Sequence, residues 1–289
     1  MLSVASWADV FRFAWPVPVT AVVKAKMQKK GNESTATYAV RVMPGNDDEM
    51  TLEFRDFQFL SINGKDVTDP KVAAQLGPVA SLASSLPTMR LSGSGEYLGT
   101  SGLDTLMDRL MAAMPGELDG KARAGLINYY RSPKVQALMQ QKSGEMWTVW
   151  VGAWNGLELD PGQALKGTAP VQVMGREIQQ QILIEHLGAA EGYPCCVRLR
   201  MTTVVDGPEV LRLVTGMLQD MATVMARAGE TFDPTQFTSA RSTNVTEVIT
   251  RPSSLMPRYA SSKAEVLIRL ADDSSHTQTD RKWFWFEWE

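Results

Sequence analysis

Met50–Gly64 reads MTLEFRDFQFLSING, and its apolar positions change parity partway along. Met50, Leu52 and Phe54 share one face of an extended chain, after which Phe57 and Phe59 take over. Side chains of a strand alternate between its two faces, so a one-residue slip at Arg55–Asp56 marks a β-bulge. Bulges bend long strands. The stretch therefore predicts a long, half-buried strand in a curved sheet.

The residues before it carry the same pattern. In VTAVVKAKM, Val19, Ala21, Val23, Ala25 and Met27 face one side, with Thr20, Lys24 and Lys26 on the other. QKKGNES is a turn, TATYAVRVM (35–43) resumes the alternation, and PGNDDE turns again. Period-two alternation broken by Gly, Asn, Asp and Pro is the signature of an antiparallel meander.

Helical patterns follow. DPKVAAQLGPVASLASSLP (69–87) is interrupted at Gly77-Pro78 and stopped by Pro87. TMRLSGSGEYLG (88–99) reads as one strand, whose Gly93, Gly95 and Gly99 lack dinucleotide-fingerprint spacing and suit close packing. In 101–116, Leu103, Leu106, Met107, Leu110, Met111 and Met114 form an apolar stripe, capped by Ser101 or Gly102 and ended by Pro115-Gly116. Further helical pieces lead to EMWTVWVGAWNG, where Trp147, Trp150 and Trp154 recur at i, i+3 and i+7. Such a stripe either packs on a sheet or lines a site for an apolar ligand.

LELDPGQALKGTAP is a polar connector. We expect a single large domain over 1–289, with a candidate internal boundary near 156–170. Strands then helices occupy 1–160; strands, a long helix and strands occupy 168–289. VQVMGREIQQQILIEHL reads as one strand, and CCVRLRMTTVV as another. The long helix runs from Pro208 to Gly229 with Leu211, Val214, Leu218, Met221 and Met225 inward. FTSARSTNVTEVIT, PRYASSKAEVLIRLA and QTDRKWFWFEWE close the chain as strands, with DDSSH as the last turn. The expected class is α+β: a long, bent, half-barrel-like antiparallel sheet with helices on its concave face.

The tail KWFWFEWE places five aromatic residues among the last seven. Alternation puts Trp283 and Trp285 on one face and Phe284, Phe286 and Trp288 on the other. Two aromatic faces suit a strand covered on both sides, central in the sheet.

Composition narrows the function. A formal charge of -3 argues against nucleic acid, whose phosphates need a basic face, and no apolar run is long enough to span a membrane. The opening residues lack the basic region of a signal peptide, so export requires a leader already removed. Localisation is expected to be periplasmic or secreted on that condition, and otherwise cytoplasmic. Cys195 and Cys196 are adjacent; a reduced pair with one in the core is the simplest reading, and a strained disulfide between the neighbours is the alternative. His186 and His276 lack metal-ligand spacing with them, and no nucleophile motif accompanies either. Asn32 and Asn244 begin N-x-S/T glycosylation acceptors, relevant only in a secretory pathway. No cofactor is expected, and no enzymatic activity.

Sixteen Met and eight Trp make apolar excess the chain's most distinctive property. Met-rich surfaces adapt to varied apolar partners. FRFAWPVPVTAVVKAKMQKKG resembles the opening strand of uncharacterised bacterial envelope proteins, and EVITRPSSLMPRYASSKAEVLI resembles their closing strand pair. In those proteins a Leu-x-Pro step, here Leu255-Met256-Pro257, enters the penultimate strand. The long strands with helices on the concave face are similar to the lipoprotein-carrier fold of LolA and LppX. That resemblance implies an unclosed barrel sheltering acyl chains, and hence lipid or a lipidated protein as partner. The lining candidates are Trp147, Trp150, Trp154, Met107, Met111, Trp283, Phe284, Trp285 and Phe286. The alternative is a structural or protein-interaction module with a filled core and a protein partner only.

Overall fold

The computed structural model describes residues 8–72, 87–113, 127–128, 130–173, 176–208, 210–212, 215 and 237–289. Fourteen strands are β1 (Asp9–Val10), β2 (Val19–Lys29), β3 (Asn32–Pro44), β4 (Glu49–Ile62), β5 (Lys65–Asp66), β6 (Thr88–Ser92), β7 (Tyr97–Ser101), β8 (Glu158–Leu159), β9 (Ala164–Val173), β10 (Arg176–Ala189), β11 (Val197–Asp206), β12 (Phe237–Thr250), β13 (Pro257–Leu270) and β14 (Ser275–Trp288). The helices described over their length are α1 (Leu103–Ala113) and α2 (Pro133–Trp147), the latter running into a π-helical turn, Thr148–Gly152.

Twelve strands form one antiparallel sheet in the order β7, β6, β4, β3, β2, β14, β13, β12, β11, β10, β9, with β5 beside β4. It is two meanders joined at a seam, where the last strand lies against the first long one: Trp283 opposite Lys26, Phe286 opposite Val23. β7 and β9 do not pair with each other, so the curved sheet stays open. The expected α+β class with a bent antiparallel sheet is what forms.

The bulge stands where parity demanded it. Thr37 pairs with Gln58 but Ala39 with Arg55, so β4 carries an extra residue there, and Asp56 takes φ +53°. A second slip, between Thr35 and Ala36, brings Phe59 opposite Ala36. Both keep apolar side chains on the inner face while the strand curls.

Several segments depart from the expectation. TMRLSGSGEYLG is the β6–β7 hairpin, not one strand; Gly95 turns it with φ +84° and leaves no room for a Cβ beside the Phe13 ring. The 157–170 stretch is not a connector: it supplies β8 and the edge strand β9. An edge strand exposed along most of its length has no apolar face to betray it. Likewise 171–187 is two strands, since β9 ends at Val173 and β10 begins at Arg176. His276 opens β14 opposite Ile268 and is not in the turn. Cys195 and Cys196 are bonded to each other where a reduced pair was the simplest reading, and Cys196 is the buried member. Most of the helical patterns at 69–87 and 208–229, and the end of the one at 101–116, lie outside the described residues.

Candidate functional site

The inner face is closed at one end by an aromatic plug. Its first component is the π turn, held by Ala153 N–H donating to the Thr148 carbonyl at 3.0 Å. The turn carries Trp147, Trp150 and Trp154 inward, at 1%, 0% and 0% exposure. Trp147 Nε1 donates to the Gly95 carbonyl at 2.9 Å and Trp154 Nε1 to that of Val149 at 3.0 Å. Trp150 meets Phe284 and Phe286 edge-on, with centroids at 5.5 and 5.1 Å.

The second component is a strap, 8–18, which had no legible periodicity. Phe11 N–H donates to the Leu157 carbonyl (2.9 Å), Phe13 N–H to Asn155 Oδ1 (2.9 Å) and Ala14 N–H to the Ser254 carbonyl (3.2 Å). Trp15 wedges edge-on between Trp147 and Trp288. The strap is pinned to β10 by His186, which is 1% exposed. The Gly188 N–H donates to His186 Nδ1 at 3.0 Å, so the ring proton sits on Nε2 and is donated to Asp9 Oδ2 at 3.0 Å. One ring nitrogen is thus held by β10 itself while the other fastens the strap.

Beyond the plug the inner face changes character. Register aligns Thr246, Ser262, Lys282, Met27 and Ser34 in one row, immediately past the row of Val248, Ala260, Phe284 and Ala25. Thr246 is 1% exposed, whereas Lys282 and Met27 are open. The row runs from a closed end to solvent. Farther out, Ile182, Val205, Val266 and Ile268 lie on the same face, half-buried and outside the plug cluster. Asn244, the second candidate glycosylation acceptor, stands here within β12 and not in a surface loop.

The outer face is polar with two indoles. Glu247 accepts from Arg198 Nη2 at 2.6 Å and from Arg200 Nε at 2.7 Å. Burial alone raises its carboxyl, but the bonds and charges of those guanidiniums outweigh burial and hold it below the ordinary value. Lys26 Nζ sits 5.8 Å from the Trp283 ring, and Tyr259 meets Trp285 at 5.9 Å. A shallow groove of about 290 Å³ runs past Trp283, and one of about 490 Å³ past Trp285.

The nine lining candidates therefore do not form one site. Trp147, Trp150, Trp154, Phe284 and Phe286 meet in the plug. Trp283 and Trp285 are half-buried on the outer face, because alternation sends them opposite to the buried phenylalanines; full cover on both sides of β14 is not found. Met107 is buried in α1 but stands apart from the plug cluster. The side chain of Met111 lies outside the described residues. Sequence reading missed the row through Thr246, whose polar residues look solvent-facing until register places them beside Phe284. It missed the strap as well.

No family model matches this chain, and no curated protein matches it. Among solved structures, one determined for lipid–protein interactions in lipovitellin superposes over 93% of this chain with a TM-score of 0.40 and 12% identity. This chain spans 25% of that one. A likeness at this level fixes neither fold nor function.

Proposed function

We propose that the chain is a non-enzymatic, extracytoplasmic binding protein, periplasmic or secreted, that shelters a lipid or the acyl chain of a lipidated protein. The ligand lies on the inner face of the open sheet, beyond the aromatic plug. One observation carries this reading: Ile182, Val205, Val266 and Ile268 are half-buried apolar residues of the inner face that lie outside the plug. Apolar surface of that kind gains about 25 cal/mol per Å² when a ligand removes it from water. An open, curved antiparallel sheet is also what the lipoprotein-carrier resemblance implies.

The second reading, a filled-core interaction module, is favoured by the near-zero exposure of Trp147, Trp150 and Trp154. Native mass spectrometry and organic extraction of the purified protein separate the two. A co-purified lipid adduct is expected. A ligand-free protein that also ignores a fluorescent apolar probe would leave only the interaction module.

A further inference from the structure

The two grooves of the outer face are lined by the same kinds of group. Beside Trp283 the first has Glu247, Ser261, Lys263 and Arg281. Beside Trp285 the second has Lys24, Thr37, Leu60 and Glu287. Each therefore offers an indole, a carboxylate, a cation and a hydroxyl. The first lies over β12, β13 and β14, the second over β14, β2, β3 and β4. Across β14 they make one track over six neighbouring strands, five spacings or about 24 Å long. Trp283 and Trp285, about 6.6 Å apart along one face of β14, stand at its centre. Lys26 over the Trp283 ring and Tyr259 against that of Trp285 brace both indoles from the adjacent strands.

This composition selects among ligands. A hydrocarbon chain would strip water from the charged groups of both grooves without replacing it. A polyanion would meet Glu247 in one groove and Glu287 in the other. An extended peptide needs partners for its own N–H and C=O groups, and the strands beneath the track have theirs bonded to each other. A neutral sugar fits. The C–H face of a pyranose packs on an indole, while its hydroxyls donate to carboxylates and accept from Lys and Arg. Two matching grooves ask for a ligand that repeats, and a track of this length asks for one that runs straight, as β-linked sugar chains do.

We propose that the outer face binds a neutral oligosaccharide of extended, β-linked pyranoses, with Trp283 and Trp285 stacking on neighbouring rings. The site lies on the opposite side of the sheet from the apolar ligand proposed above, and neither reading depends on the other.

Isothermal titration calorimetry of the full-length protein with cellobiose and cellohexaose tests this. Affinity should rise roughly tenfold or more from the disaccharide to the hexasaccharide, as the longer chain fills both grooves. Lys24→Ala and Glu287→Ala, both at exposed positions, should each weaken cellohexaose binding roughly three- to tenfold, with the thermal midpoint unmoved. Trp283→Ala and Trp285→Ala should each weaken it about tenfold; the exposed pair keeps the test decisive should an indole variant fail to fold. Cellohexaose that does not bind, that binds no better than cellobiose, or that binds the folded variants as it binds the parent overturns the assignment. Maltohexaose bound as tightly as cellohexaose overturns it as well, because a coiled α-linked chain cannot follow the track. So does an oligogalacturonate bound more tightly, because the ligand would then be an anion.

Discussion

Glu247 stands on the outer face of β12 between two guanidinium groups, with its side chain 18% exposed. Its folded-state carboxyl is held below the ordinary value, so it contributes stability above the unfolded pKa of about 4.3 and loses it as pH falls through the folded value. Glu247→Gln should therefore be less stable than the parent at neutral pH, with the gap closing in acid. Urea unfolding at neutral and strongly acidic pH checks this; a gap that ignores pH would assign the effect to packing. At this scale the sequence was partly legible. Alternation correctly separated the Phe284 and Phe286 row from that of Trp283 and Trp285. It could not say which row would be buried, because that depends on which face the π turn meets. The Asp9–His186 bond was illegible for a plainer reason: its partners are separated by 177 positions.

Elements are joined here by single side chains placed where a strand would otherwise be. On the outer edge of β7, Gln140 of α2 takes the place of another strand. Thr100 N–H donates to Gln140 Oε1, and Gln140 Nε2 donates back to the Thr100 carbonyl, both at 2.7 Å. Tyr97 Oη adds a bond to the Gln140 carbonyl at 2.9 Å. Gln140→Ala leaves two backbone groups of a residue only 7% exposed without partners. The expected loss is about 2–4 kcal/mol, read from urea unfolding, with faster amide exchange at Thr100. β14 supports the sheet differently, since it is the seam between the two meanders. Deleting residues 283–289 removes the pairing with β2 from Trp283 to Trp288 and takes Phe284 and Phe286 from the plug. The truncated chain should lose its β-type circular dichroism and its near-ultraviolet aromatic signal. Retention of both would show that the meanders stand separately. Long inner strands announced themselves through period two, and the bulge through its parity slip. The edge strand β9 did not, because exposure on both faces erases the pattern that identifies a strand.

At the scale of the whole molecule, an open sheet has to protect two edges from pairing with other chains. One is covered by α2 through Gln140. The other, β9, is paired on its outer side by no strand among the described residues and is guarded by its own sequence: Lys166, Gly167, Thr168 and Pro170 occupy its middle. Charge, glycine and proline on an edge strand discourage edge-to-edge addition, the proline because it lacks the N–H that a new ladder needs. On the proposed reading the same openness also serves as the route to a ligand, so closing the sheet into a barrel would remove both the hazard and that route. Replacing Lys166 with Ile and Pro170 with Val should therefore leave the fold intact, since neither residue belongs to the buried core. It should also shift the protein toward larger, concentration-dependent species relative to the parent. Sedimentation velocity over a concentration series, with circular dichroism to confirm the fold, reads both outcomes. Unchanged sedimentation of the double variant would mean that the twist of β9, not its side chains, keeps that edge solitary.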